Sequence, residues 1–562
     1  MKKIKLRKKY IDIINSSKFY FEEMTEKNNC PRWVAIFLSV IDQYKRISFA
    51  SENKYVINDE NDSFIIFITP FIKVACLEVT SKHSMFYKSL NEQCQLKLEI
   101  QLAKKLKRIC SSTLTTSFEK NDMGYDLGAY INALYKKPLV FFKEYSVLAK
   151  LLSMHTDYWI QSTSKLIKRL QSDFNEFDSS FFNIYCDNPS DEEIVKMIVD
   201  LHLDLSDPHE KGQSVTIVEF NNSEKVVYKP KSVMAEQSFG MFVEWLNERT
   251  ELQLEFLPVI DKGNYGWAKY IEHKLCENNE EISRFYSRIG MSSALLYVLR
   301  GMDYHNENLI AHGEYPFFID HEMLFYPIYV DSENKELVAK SESKTDVQSG
   351  YYESILNTRL YPIVEKRVNG TISDVSAVGH CSSDKINTHL PVNDCAIHDP
   401  GKYISNIIDG FKTVYEIIRD NKDDLLSESG LTSYFSQSSY RYNIRSTSSY
   451  LSINNLSINS DAFKSGDNFC NRIHAARCKM QAIFSRVIPP DIMLEEMKIL
   501  SRLDVPRFTI YSKDRHLLSP DHKCLTEIFK YSGVELVEQR IMDMSDADLY
   551  NQIKYIEDSI NG

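Results

Sequence analysis

Asp303, His305, Asn308 and Asp320 lie in the stretch GMDYHNENLIAHGEYPFFIDHEMLF, residues 301–325, directly behind a strongly apolar run. An Asp followed five residues later by an Asn, with a second Asp on the next strand, is the order of the catalytic and metal-holding groups in a kinase catalytic loop. Asp303, Asn308 and Asp320 keep that order. The chemistry such a set serves is phosphoryl transfer to a hydroxyl. Asn308 and Asp320 would hold Mg2+, and Asp303 would accept or orient the hydroxyl proton. A polar turn between a core helix and a core strand draws on the same residue types, so this segment alone does not decide.

A second segment, SDPHEKGQSVTIVEFNNSEKVVYKPKS at 206–232, reads as a hairpin. Val215 to Phe220 alternate, Asn221, Asn222 and Ser223 turn, and Val226 to Lys229 return. A lysine ending an apolar strand stands where kinases carry the cation that contacts the phosphates. Lys229 is the candidate; the alternative for it is an ordinary solvated strand-end lysine, with Lys225 and Lys231 close by as equally charged neighbours.

These residues resemble the dehydratase domain of class II lanthipeptide synthetases, enzymes that phosphorylate Ser and Thr of a precursor peptide and then eliminate the phosphate. The resemblance rests on SDPHEKGQSV, VVYKPKS, YGWAKYIEH (265–273) and the Asp303 to Glu322 block. It continues in YSVLAKLLSMHTDYW (145–159), RLQSDF (169–174), ESILNTRLYPI (353–363), SDVSAVG (373–379), RYNIRSTSSY (441–450) and LDVPRF (503–508). It implies an α+β fold with a two-lobed, lipid-kinase-like catalytic core and extensive helical N- and C-terminal additions. It also implies ATP and Mg2+ as cofactors and a precursor peptide with a leader segment as partner.

Residue by residue, Asp207 and His209 match an active-site Asp-x-His pair, and Lys229 matches the phosphate-contacting lysine. Asp303, His305, Asn308 and Asp320 match the phosphotransfer set. Arg441 and Thr447 match residues used for elimination, with Arg445 as a third contact; forked guanidinium donors suit a departing phosphate. Ser446 departs from the proline expected of the family between Arg445 and Thr447. For the base that removes the α-proton, His305, His209 and Lys229 all remain candidates.

Full-length synthetases of this class continue into a zinc-dependent cyclase. Here no Cys-His dipeptide occurs and the last tryptophan is Trp267, so ring closure is expected of a separate cyclase, of a longer form of the chain, or not at all.

Composition is compatible with this reading without selecting it. The 562 residues exceed one ordinary domain, and 43% apolar residues suffice for sizeable cores. A formal charge of −11 gives no support to nucleic-acid binding. No run of eighteen uncharged apolar residues appears, so no transmembrane segment is expected. The basic cluster Lys2, Lys3, Lys5, Arg7, Lys8 and Lys9 is followed by no apolar core and reads as a solvated helix start, not an export signal. Eleven cysteines without a C-x-x-C pair indicate neither a disulfide framework nor a zinc cluster, which fits a cytoplasmic location.

Periodicity organises the chain into three regions. Residues 1–190 read as a mainly helical region, with apolar residues at helical intervals around 89–110, 128–154 and 158–174. Residues 191–410 read as the kinase-like core, with 284–301 as a buried helix leading into the catalytic loop and 321–400 in the position of an activation loop. Residues 411–562 read as mostly helical, with helices at 403–426 and 492–503 bracketing a Ser-rich, strand-like stretch that bears Arg441 and Thr447. The polar stretches 331–350 and 381–401 are loop candidates.

No G-x-x-x-x-G-K or G-x-G-x-x-G occurs, which weighs against a P-loop and against a standard protein kinase. The alternatives to a dehydratase are a Ser/Thr peptide kinase that stops at the phosphoester, a non-catalytic scaffold that binds the leader peptide, and a small-molecule kinase, which would not need the long helical flanks.

Overall fold

The computed structural model describes residues 8–20, 31–46, 62–121, 126–182, 189–327, 353–362, 365–366, 372–374, 376–379, 388–393, 396–397, 399–481 and 488–561. The basic residues Lys2 to Arg7, the polar stretch 331–350 and much of 381–401 lie outside them. The chain divides into two compact units, each assembled from two stretches: residues 1–228 with 443–507, and residues 229–442 with 508–562. Helices and small antiparallel sheets make up both, which is compatible with an α+β class.

The first unit is built on the helix Ser146–Ser180. Val147, Leu148, Leu151, Leu152, Trp159, Ile160, Ile167, Leu170, Phe174 and Phe177 are buried along it at helical spacing. The sequence suggests two helices here, but His155, Thr156 and Tyr158 are also buried, and neither Gly nor Pro interrupts the stripe. One continuous rod results. The helix Ser63–Lys82 is long and apolar enough to cross a membrane by length and composition. Its Phe67, Ile68, Phe71 and Ile72 are nevertheless buried, with Phe67 packed edge-on to Phe141, as in a core helix.

Three antiparallel strands end the first stretch of this unit: β1 (Ile198–His202), β2 (Thr216–Phe220) and β3 (Lys225–Lys229). The β2–β3 hairpin pairs Ile217 with Val227 and Val218 with Val226, and Ser223 supplies the positive φ (69°) of its turn. The expected hairpin is therefore present, with Lys229 as its last residue and the first residue of the second unit.

In the second unit, β4 (Val259–Asp261) and β5 (Gly266–Lys269) are antiparallel, as are β6 (Leu309–His312) and β7 (Tyr315–Phe318). The helix Asn279–Val298 crosses the helix Ile404–Asp420 at two glycines. A Cβ on Gly290 would lie 1.9 Å from the Ile407 carbonyl oxygen, and one on Gly410 2.1 Å from that of Ser287. Only glycine permits this backbone approach. A four-stranded antiparallel sheet follows the order Ser439–Tyr442, Phe508–Tyr511, His516–Leu518, Cys524–Glu527.

Candidate active site

Side chains of the second unit converge on the turn after the helix Asn279–Val298. That helix ends with Gly301 N–H donating to the Leu296 carbonyl at 2.8 Å, and Arg300 (φ 52°) and Asp303 (φ 69°) take left-handed backbone. A non-glycine residue holds that conformation only where its surroundings over-determine it. Here the loop is stitched on both sides: Met302 N–H donates to the Met323 carbonyl and Tyr304 N–H to the Thr358 carbonyl, both at 2.9 Å.

His305 begins the short turn Asn306–Asn308, its Nδ1 accepting the Glu307 N–H at 3.2 Å. A ring nitrogen that accepts carries no proton, so in the neutral ring the proton sits on Nε2, which faces an Asp303 carboxylate oxygen at 3.9 Å. Asn308 donates from Nδ2 to the Asp303 carbonyl at 2.8 Å, which turns its amide oxygen the other way. An oriented amide oxygen and a nearby carboxylate suit a hard cation such as Mg2+.

Lys229 is 5% exposed and does not end in solvent. Its ammonium donates to Glu236 at 2.8 Å, on the helix Met234–Asn247, and to the carbonyl of Ile319, the residue before Asp320. Glu236 is itself 2% exposed. A strand lysine paired with a helix glutamate is the ion pair that kinases need in place for phosphotransfer.

Lys231 spans both Asp320 carboxylate oxygens, at 2.8 and 3.0 Å, and also reaches Glu322 at 2.8 Å. It occupies the carboxylates as a cation would, so Asp320 and Glu322 form a place where positive charge is compensated. Glu322 also accepts from Arg441 Nη1 at 2.9 Å, and its carbonyl accepts the Arg441 N–H at 2.7 Å. Burial opposes the Arg441 charge, but Glu322, then Asp303 and Asp320, outweigh it and hold its pKa above the usual value.

Between these carboxylates His321 turns inward. It is 1% exposed, accepts from or donates to the Tyr304 hydroxyl at 3.0 Å, and stacks on Phe239 with ring centres 4.1 Å apart. Burial, reinforced by Lys229, pushes its pKa down to about 3, so the ring is neutral at ordinary pH.

Of the residues singled out from the sequence, Lys229, Asp303, His305, Asn308, Asp320 and Arg441 lie in this unit. Asp207, His209, Arg445 and Thr447 belong to the first. There Asp207 is exposed, and His209 Nδ1 meets the Val505 carbonyl at 3.2 Å. Arg445 is 3% exposed and bonded to Glu496 at 2.9 Å, with Arg477 3.6 Å away on the other oxygen and Tyr450 donating at 2.7 Å. Its guanidinium is thus part of a core ion cluster. Thr447 opens the helix Thr447–Ser457 and is not on a strand. Ser446, the residue that stands where proline was expected, is the helix cap, accepting the Ser449 N–H at 3.2 Å.

Glu236, Lys231, Glu322 and His321 have no assigned role in the sequence reading. Glu322 and Lys231 each lie two residues from a named site residue, the spacing that returns an extended chain to the same face. Glu236 offered no such signal. Among the described residues one further group, Asp200, His202 and Glu219, has metal-ligand geometry, but Lys97 and Lys225 already neutralise its carboxylates.

A family model described as a domain of unknown function, DUF4135, matches residues 145–396 and 385–511, and the chain belongs to that family. The chain is also 24% identical over 530 residues to "Lacticin 481/lactococcin biosynthesis protein LcnDR2" of Lactococcus lactis subsp. lactis. That match covers 82% of the chain and 54% of the relative, so the chain spans about half the length of the curated relative it matches. Both comparisons uphold the family resemblance read from the sequence.

Proposed function

We propose that this protein acts in lanthipeptide maturation as an ATP-dependent dehydratase, phosphorylating Ser and Thr of a precursor peptide and then eliminating the phosphate. The observation that carries the reading is the buried Lys229–Glu236 pair, whose lysine also grips the residue preceding Asp320. The similarity to a lacticin 481/lactococcin biosynthesis protein supports the peptide substrate. The kinase-like arrangement of the second unit and the cytoplasmic setting are parts of the same proposal.

In the first step the substrate hydroxyl oxygen bonds to the γ-phosphorus of ATP as the bond to the β,γ-bridging oxygen breaks. The hydroxyl proton passes toward the Asp303 carboxylate, and Lys229 offsets charge on the phosphates. Asn308 and Asp320 would hold Mg2+, which supplies charge neutralisation on the transferred group. Asp320 must then share or release Lys231, whose ammonium becomes available to the phosphate oxygens. In the second step a base takes the α-proton, the Cβ–O bond breaks and phosphate departs, leaving dehydroalanine or dehydrobutyrine. Arg441, held beside Asp320 through Glu322, would stabilise that leaving group.

Lys229, His305 and His209 all remain candidates for that base. Lys229 is engaged by Glu236 and a carbonyl, and His305 presents a protonated Nε2 to Asp303. His209 Nδ1 donates to the Val505 carbonyl.

Incubation with ATP, Mg2+ and a precursor peptide encoded beside this protein, followed by mass spectrometry, tests the reading. Loss of water per modified residue is the expected result. Gain of phosphoryl alone would make the protein a kinase without elimination, and an unmodified but bound peptide would make it a scaffold.

A further inference from the structure

Arg300 follows the helix Asn279–Val298 and precedes Asp303 by three residues, and its backbone is left-handed (φ 52°). A long side chain gains nothing from that conformation, so the hold on it must come from outside the residue.

The hold runs through its guanidinium. Arg300 is 8% exposed; Nε donates to the Tyr326 carbonyl at 3.2 Å, while Nη1 and Nη2 donate to the two carboxylate oxygens of Glu353 at 2.6 and 2.9 Å. The Tyr326 N–H donates back to the Arg300 carbonyl at 3.4 Å, so this residue is paired both ways with the chain that runs on from Asp320. The Phe325 N–H extends the seam, donating to the Leu299 carbonyl at 2.8 Å.

Glu353 opens the segment whose Thr358 carbonyl accepts the Tyr304 N–H, and the Ile355 N–H of that segment is itself held by the Gln552 side chain at 2.9 Å. One carboxylate thus joins the catalytic turn, the chain behind Asp320 and the segment that supports Tyr304. Arg540, on the helix Gly533–Asp543, closes the cluster: it donates to the Glu353 carboxylate and, at 2.7 Å, to the Tyr297 carbonyl, with its guanidinium carbon 4.5 Å from the centre of the Tyr297 ring. All of these residues belong to the second unit.

We propose that Glu353 is a positioning residue for Asp303: by locking the Arg300 fork it sets where the Asp303 carboxylate stands relative to Asp320. A planar guanidinium read by both oxygens of a carboxylate has a single orientation, which a point charge does not. The Glu353 side chain is 49% exposed, so it fills no core space and its contribution is geometric. Without it Arg300 is a buried cation short of its counter-charge, free to relax toward water and to carry the turn with it. The inference rests on the phosphotransfer step of the dehydratase reading for the role of Asp303.

The test compares the wild-type protein with Glu353→Gln, Arg300→Lys and the double variant. Hydrogen exchange of the 300–306 segment, melting temperature, and kcat and KM for phosphoryl gain by the precursor peptide are measured. In Glu353→Gln the segment should exchange faster and kcat should fall by roughly 10- to 100-fold, the scale of a misplaced reacting group, while KM for ATP and peptide stays within about twofold. Arg300→Lys, which keeps the charge and loses the fork, should match it, and the double variant should be no slower than either single one, because the two residues act as one device. Unchanged exchange and kcat in Glu353→Gln would overturn the role, as would a loss confined to KM, multiplying losses in the double variant, or a fall in kcat that simply follows melting temperature. Should the wild type transfer no phosphoryl group, the dehydratase reading fails by itself, and the exchange data still decide whether Glu353 holds the turn.

Discussion

Lys229 and Glu236 face each other at 2.8 Å with side chains only 7% and 2% exposed, seven residues apart in sequence and on different elements. The pair joins the end of β3 to the helix Met234–Asn247, and the lysine carries the linkage on to the carbonyl that precedes Asp320.

A buried charge left without its partner is far more costly than the pair itself is worth. Glu236→Ala should therefore destabilise the protein by about 3–5 kcal/mol, measurable by urea denaturation. The double variant Lys229→Met/Glu236→Leu should recover most of that stability and still transfer no phosphoryl group. A double variant with wild-type phosphotransfer would remove the pair from the mechanism.

Arg441 should separate the two half-reactions. Asp303→Ala is expected to abolish every change in peptide mass, whereas Arg441→Ala should let phosphopeptide accumulate, with elimination slowed on the order of a hundredfold, as when one donor to a developing anion is removed. Arg441→Lys keeps the charge but not the fork and should restore little. Normal dehydration by Arg441→Ala, read by mass spectrometry, would exclude it from the leaving-group step.

Acid should weaken the fold through its buried neutral histidines. His321 is pushed down to about 3 and His389 to about 4, both chiefly by burial. Their folded pKa values lie below the ordinary 6.5, so as pH falls through 6.5 the unfolded chain binds protons that the folded chain refuses. Stability is full above pH 6.5 and is lost on the way to those lower values, at about 1.4 kcal/mol per pH unit for each histidine. His321→Phe, which can keep the stacking on Phe239, should flatten the fall in melting temperature between pH 6.5 and 5; an unchanged slope would contradict a neutral His321.

Gly290→Ala tests the crossing of the helices Asn279–Val298 and Ile404–Asp420. The added methyl would meet the Ile407 carbonyl, and backbone on both sides cannot step aside as a flexible side chain would. A loss at or above about 3 kcal/mol is expected, the upper end for overpacking, checked by thermal denaturation. A mild effect would mean that the crossing adjusts.

Local patterning carried much of this into the sequence. The alternation of 215–229 marks the β2–β3 hairpin, and the apolar run before residue 301 marks the helix Asn279–Val298. Glu236 stayed hidden because a glutamate on a helix is normally solvated, and only the lysine folded over it makes it a site residue. Thr447 was assigned to an extended stretch because serine-rich sequence has weak helix propensity, which the Ser446 cap overrides. The bond from the Lys211 N–H to the Asp504 carboxylate joins positions far apart along the chain, beyond the reach of any periodicity.

Each unit is discontinuous, and the polypeptide changes unit at 228/229, 442/443 and 507/508. On the ribosome, the helical N-terminal stretch must wait for residues 443–507 before its own fold is complete, by which time the stretch that begins at Lys229 has been made. Neither half can be excised with a single cut, so an active fragment obtained by simple truncation would be a surprise, and dissecting the two units calls for a spliced gene in which 1–228 is joined directly to 443–507.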